Sequence, residues 1–415
     1  MVALLAVLGI GVAVFVGYNI GGSSTGVAFG PAVGSRLVRK VTAGVLFTGF
    51  ALIGAWTVGR NVIDTMSSSI VPASQFTPVA SVGVLFFTGL ALLVSNLYGV
   101  PASTSMTAVG AIVGLGLATG TLNEALMFTI VSAWVVAPLV GFLCGAVIGR
   151  YLYPYLDRYI AFTRLDDHLI QVDGSGAVPR PTVNSNATVR DLVGSVLVVV
   201  IACYMAFSAG ASNAANAVAP LVGAGGPLTV DQGVLVAVGA FSLGSFTIAR
   251  RTLDTVGDDI TELPILAALI VSTVGGTIIT ILSALGIPAS LAVSTTCTII
   301  GLGWGRASRA ASIADLATPT PNERPAVATG ALTAGGQQEN TPTSPTVGEL
   351  ADREAPAAPA DDETPDVPSM GSEDAEELSA ESLFDASAVS RIVTMWVLTP
   401  TIGVVCSFLL FSLVL

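Results

Sequence analysis

Within long apolar stretches of this chain lie four short clusters of small polar residues, and they carry most of its evident chemistry. They are Gly21-Gly22-Ser23-Ser24-Thr25, Pro101-Ala102-Ser103-Thr104-Ser105, Gly210-Ala211-Ser212-Asn213-Ala214 and Pro288-Ala289-Ser290, the last followed by Ser294-Thr295-Thr296. None contains a charged side chain. Hydroxyls and carboxamides donate hydrogen bonds. A proline in a first helical turn marks a helix N-terminus, where backbone N–H groups lack partners and the helix dipole favours negative charge. Four such ends converging on one point would satisfy a small tetrahedral oxyanion. The competing reading is that Gly and Ser allow close helix packing, with the hydroxyls bonded back to their own helices. The paired arrangement favours the anion site, with Ser23, Ser24, Thr25, Ser103, Thr104, Ser105, Ser212, Asn213 and Ser290 as substrate-binding candidates.

Other chemistries find little support, and no enzyme is expected. A hydrolase built on Ser103 or Ser212 lacks a base, and His168 is the sole histidine, which excludes a zinc site or a histidine-based triad. Cys144, Cys203, Cys297 and Cys406 lie in apolar segments without a CxxC pair and read as small buried hydrophobes. Lys40 is the only lysine, so a GxxxxGK[ST] phosphate loop and an ATP-driven pump are excluded. The basic footprint of a nucleic-acid partner is missing.

The elements that must position these clusters are membrane spans. Of 415 residues, 52% are hydrophobic and 11% charged, whereas a soluble domain carries about 25% charged residues. Several runs are long enough to cross ~30 Å of hydrocarbon at 1.5 Å per residue. The expected fold is an all-α polytopic membrane protein, with the lipid bilayer as a partner. Spans are expected at 2–18, 41–60, 77–98, 102–118, 123–149, 191–209, 229–249, 263–285, 288–305 and 391–415. Segments 21–36 and 210–226 are too polar to face lipid and read as re-entrant broken segments. The domain division is a first membrane repeat, 1–150; a polar loop, 151–190; a second repeat, 191–306; an acidic loop, 307–390; and a last transmembrane helix, 391–415. The acidic loop holds sixteen of the 28 acids and few large apolar residues, so it is expected to be disordered. One lysine against fifteen arginines, with acidic water-facing segments, is the composition expected of a salt-loving prokaryote, a halophilic archaeon for example.

Arginine placement orients the chain. Five spans per half put every basic residue except Arg60 on one face, a split of fifteen to one. The positive-inside rule makes that face cytoplasmic. This multi-pass protein of the cell membrane is then expected to have both termini outside and loops 151–190 and 307–390 inside.

The two halves resemble each other at a spacing near 190 residues. Gly21–Gly34 matches Gly210–Gly223, Arg60-Asn61-Val62-Ile63-Asp64-Thr65 matches Arg250-Arg251-Thr252-Leu253-Asp254-Thr255, and Gly99-Val100-Pro101-Ala102-Ser103 matches Gly286-Ile287-Pro288-Ala289-Ser290. Five spans per repeat is an odd number, so the second repeat must be inverted relative to the first. Inverted repeats with interrupted polar segments in corresponding positions point to a secondary transporter with a midplane site. A non-transporting membrane sensor, with the acidic loop as its output, is the competitor from another class.

These residues resemble the inorganic phosphate transporter (PiT) family. That family carries a Gly-Ala-Asn-Asp-x-Ala-Asn-Ala signature and a later Gly-x-Pro-x-Ser-Thr-Thr-like element in each half. Here they correspond to Gly21–Gly30, Gly210-Ala211-Ser212-Asn213-Ala214-Ala215-Asn216-Ala217, Gly99–Met106 and Gly286–Ser290. The resemblance implies cation-coupled phosphate symport by alternating access. Phosphate would lie near Ser103, Thr104, Ser105, Ser290 and the two signature segments. Sodium, the coupling ion, would lie near Ser24, Asn213 and Asn216, with no other cofactor implied. A homodimer is an open alternative for the oligomeric state. The sequence departs from the pattern by replacing both signature aspartates, Ser23-Ser24 and Ser212-Asn213 standing where the family has Asn-Asp, and by Val27 in place of an asparagine. A site without acidic acceptors suits sulfate, which carries no proton, so a sulfate or other oxyanion permease is the alternative.

Overall fold

A computed structural model describes residues 2–35, 37–97, 103–159, 170–173, 180–183, 189–223, 226–247, 249, 265–317 and 386–414. The apolar runs all form helices: α1 Val2–Gly34, α2 Lys40–Thr57, α4 Pro78–Leu97, α5 Thr104–Thr119 and α6 Glu124–Val147 in the first half. The second half has α8 Val189–Val222, α9 Val230–Phe246, α10 Ile265–Ala284, α11 Leu291–Ala317 and α12 Ala386–Val414. Two short helices complete the set, α3 Gly59–Asp64 and α7 Tyr153–Tyr159. Among the described residues, six helices are long and apolar enough to cross a membrane, and three shorter apolar helices accompany them. Among the described residues the only strands, β1 Ile170–Asp173 and β2 Arg180–Val183, pair antiparallel in the polar loop, a hairpin its composition did not signal. The chain divides into two compact units, residues 1–309 with 379–415, and residues 310–378. Of the second unit only the helical residues 310–317 are described. The acidic loop from 318 to 385 lies outside the described residues, as do Arg250–Thr255 and Gly99–Ala102.

The first unit is organised around α8, whose alanines from Ala206 to Ala219 are at most 1% exposed. Packing is reciprocal between the halves. Helix α1 crosses α9 so closely that a side chain at Gly21 would collide with the Phe241 carbonyl, and one at Gly244 with the Tyr18 carbonyl. Helix α8 meets α2 in the same way, with Gly210 against Ala51 and Gly54 against Phe207. Helix α5 packs on α12 through Gly110 and Gly114, just as α11 packs on α6 through Gly301 and Gly305. Small residues at such crossings are the usual means of bringing helices together in lipid, where apolar attraction between helices is weak. Outward on α6, Phe128, Val135 and Leu143 are exposed, the polarity expected of a surface solvated by hydrocarbon.

One expectation is corrected. Segments 21–36 and 210–226 are not re-entrant broken segments over their helical parts: Gly21–Gly34 continues α1 and Gly210–Val222 continues α8. Isolated Gly-Gly-Ser-Ser disfavours helix, but here the glycines permit the α1–α9 and α2–α8 crossings. The hydroxyls also bond back, Thr25 to Gly21 O at 2.7 Å and Ser23 to Asn19 O at 3.2 Å. The chain reverses instead between α4 and α5 and, at Gly286–Ser290, between α10 and α11. Helices α4 and α5 start and finish beside the Ser69–Thr77 segment, where Asn123 N–H donates to Ile70 O at 2.9 Å. Helix α10 begins beside Tyr153 and α11 passes it at Leu302, at the other end of α6. Two helical hairpins therefore approach each other from opposite ends of the bundle.

Candidate anion-binding site

Both hairpins deliver a helix N-terminus to the same place. Ser103 caps α5, its Oγ accepting from Met106 N–H at 3.3 Å, so Thr104 and Ser105 occupy the first two helical positions. Ser290 caps α11 in the same way, accepting from Val293 N–H at 3.3 Å, with Leu291 and Ala292 following. Helix geometry gives the backbone N–H groups of those four residues no intrahelical acceptor. Gly286, at φ +72°, turns the chain out of α10, and a side chain there would crowd Thr65 and Asn61. The following Pro288-Ala289 stretch is pinned by two donors, Trp134 Nε1 to Pro288 O at 2.7 Å and Ser212 Oγ to Ala289 O at 3.0 Å.

The two N-termini open on a cavity of about 80 Å³. Helix α1 lines it with Asn19, Ile20, Ser23, Ser24 and Val27, one face of the helix over two turns. Helix α4 adds Leu92 and α8 adds Asn213, and the rest of the wall is Thr104, Ser105, Ser290, Leu291 and Ala292. Among the described residues, no charged side chain lines it. One water needs roughly 10–15 Å³ of such space, so the cavity has room for several waters or a small inorganic ion. Among the described residues, the hydroxyls of Ser24, Thr104, Ser105 and Ser290 and the amide N–H groups of Asn213 have no protein acceptor. These donors face the cavity, where an anion would accept from them and from the two helix ends.

Of the candidates, the cavity gathers Ser23, Ser24, Thr104, Ser105, Asn213 and Ser290. Three others stand behind it. Thr25 is buried and bonded to Ser245 at 2.6 Å, joining α1 to α9. Ser103 and Ser212, both buried, cap α5 and hold the second hairpin tip. Asn216, expected near a coupling ion, is 1% exposed and donates to Ser105 Oγ at 3.0 Å and Asn213 Oδ1 at 3.1 Å. Its own Oδ1 is buried with no hydrogen-bond partner. Sequence reasoning missed Asn19, Ile20, Val27, Leu92, Leu291 and Ala292. Asn19 had a readable signal, a carboxamide one turn before Ser23 in an apolar run. Leu92 had none.

The profile of the phosphate transporter family, PHO4, matches residues 20–330. The sulfate permease CysP of Bacillus subtilis is 34% identical over 293 residues, covering 70% of this chain and 75% of that protein. A predicted phosphate permease of Pyrococcus horikoshii is 25% identical over 369 residues, covering 74% of this chain and 90% of its own length. In fold, the chain is similar to the solved structure of a sodium-dependent phosphate transporter, with a TM-score of 0.63 at 16% identity over 99% of both chains. With three quarters of its length inside the matched profile, this multi-pass membrane chain belongs to the phosphate transporter family.

Proposed function

We propose that this protein carries a small tetrahedral oxyanion across the cell membrane by alternating access, with phosphate the substrate that its family supports. The observation that carries the reading is the meeting of two helix N-termini and a set of unpartnered donors in one uncharged cavity of about 80 Å³. Inverted repeats are supported by the reciprocal packing and by hairpins arriving from opposite ends. Access on one side only is supported by the contrast between the two signature helices. Ser23 and Val27 on α1 are exposed, whereas their counterparts Ser212 and Asn216 on α8 are buried. The arginine distribution supports termini outside and loops 151–190 and 307–390 in the cytoplasm.

Sodium coupling is part of the same proposal. A hard monovalent cation takes oxygen ligands, and the buried Asn216 Oδ1 lacks a partner. Pro220 has no N–H to offer the Asn216 backbone carbonyl four residues earlier, which leaves that oxygen without its helical donor. Ser24 and Asn213 could add oxygens. Sulfate is a second reading, favoured by the absence of any carboxylate from the lining among the described residues and by the 34% identity to a sulfate permease. The test is uptake of radiolabelled phosphate into proteoliposomes, with and without an inward sodium gradient and with unlabelled sulfate as competitor. Sodium-driven phosphate uptake supports the first reading. Uptake abolished by sulfate and stronger with labelled sulfate supports the second, and no uptake of either anion refutes both.

A further inference from the structure

We propose that Asn216, which does not line the cavity, is a positioning residue that sets its selectivity by fixing Ser105 and Asn213 as donors. This inference rests on the oxyanion reading and deepens it. The Asn216 amide gives one N–H to Ser105 Oγ at 3.0 Å and one to Asn213 Oδ1 at 3.1 Å. With its oxygen engaged as acceptor, Ser105 has its hydroxyl proton to offer the cavity. With Oδ1 engaged, Asn213 has its N–H groups to offer. Ser290 is polarised in the same sense by Val293 N–H. The one lining hydroxyl held the opposite way is Ser23, which donates to Asn19 O and Ile20 O at 3.2 and 3.1 Å and so can accept.

A cavity so biased distinguishes anions by their protons. Phosphate and arsenate near neutral pH carry at least one acidic proton that needs an acceptor. Sulfate and selenate carry none and take donors on every oxygen. A buried site built for one hydrogen-bond pattern rejects a ligand that leaves a group unpaired. Asn216 therefore favours unprotonated oxyanions relative to what the same scaffold would bind without it.

The experiment compares wild type, Asn216→Asp and Asn216→Ser in proteoliposomes at fixed, saturating sodium. The readout is the ratio of apparent affinities for phosphate and sulfate, with arsenate and selenate as a second pair. A carboxylate at 216 only accepts, so the Ser105 hydroxyl and Asn213 amide turn towards it and present oxygens to the cavity. The phosphate-to-sulfate affinity ratio is expected to rise about tenfold or more, and the arsenate-to-selenate ratio with it. Serine, which bonds in either sense, is expected to raise both ratios by about threefold. A purely structural residue would weaken all four anions equally. Ratios unmoved in a folded variant overturn the proposal, and the serine variant decides if the aspartate variant does not insert. Wild type that takes up none of the four anions defeats the oxyanion reading itself, whereas wild-type uptake with unmoved ratios defeats only the role of Asn216.

Discussion

Ser103 and Ser105 stand two residues apart in one short cluster, and the structure assigns them different work. Ser105 lines the cavity with its Oγ accepting from Asn216 and no protein acceptor for its hydroxyl proton among the described residues, whereas Ser103 is fully buried behind it as the cap of α5. Removing the Ser105 hydroxyl deletes one hydrogen bond to a charged ligand, worth about 1.5–3 kcal/mol. That weakens apparent anion affinity by about 10- to 150-fold. Ser103→Ala instead removes a helix cap, costing about 0.5–2 kcal/mol of stability, with affinity expected to stay within about threefold. The assay pairs uptake kinetics in proteoliposomes with thermal unfolding in detergent. Ser105→Ala should raise the apparent KM and also lower the unfolding temperature, because it leaves the buried Asn216 amide without its acceptor, whereas Ser103→Ala should lower the unfolding temperature with the apparent KM nearly unchanged. Equal loss of affinity in both variants, or a Ser105→Ala protein within about twofold of wild type, would refute the placement of the donors.

Three further outcomes follow from the packing. Gly21→Ala should destabilise by several kcal/mol, because its methyl meets the Phe241 backbone, which cannot step aside. Gly49→Ala, with nothing within 4 Å, should be neutral, and the yield of folded protein distinguishes the two. Arg60→Gln breaks the pair with Asp231 at 2.5 Å, whose side chains are 33% and 58% exposed, so unfolding measurements should show a loss of less than about 1 kcal/mol. Deleting 320–384, between the ends of α11 and α12, should leave uptake intact; abolished uptake in a folded deletion would favour a sensor whose output is the acidic loop.

The helices were legible because long apolar runs have one main structural outcome in hydrocarbon, where the backbone must satisfy itself. The polar clusters were legible as exceptions within those runs. Their internal geometry was not. The Gly21–Thr25 segment read as a break because propensity counts against Gly and Ser, but a neighbouring helix that needs their smallness overrode it. Helical phase separates Ser105, which faces the cavity, from Ser103, which caps, and a two-residue offset cannot be resolved until the first turn is located. Ser212 was read as a ligand because its type is right. Its partner, Ala289 O, lies 77 residues away and only the tertiary fold brings it near. Leu92 carries no chemical signal and enters the site by packing alone.

The central claim, that the cavity between the two hairpin tips holds the anion, is tested most directly by locating an anion. Crystals or grids prepared with selenate and, separately, arsenate would position it through the scattering of selenium or arsenic. The account predicts density within hydrogen-bond reach of Ser24, Thr104, Ser105, Asn213 and Ser290, for whichever anion competes with uptake. Ordered density for that anion elsewhere in the membrane region, with the cavity filled by water alone, would contradict it.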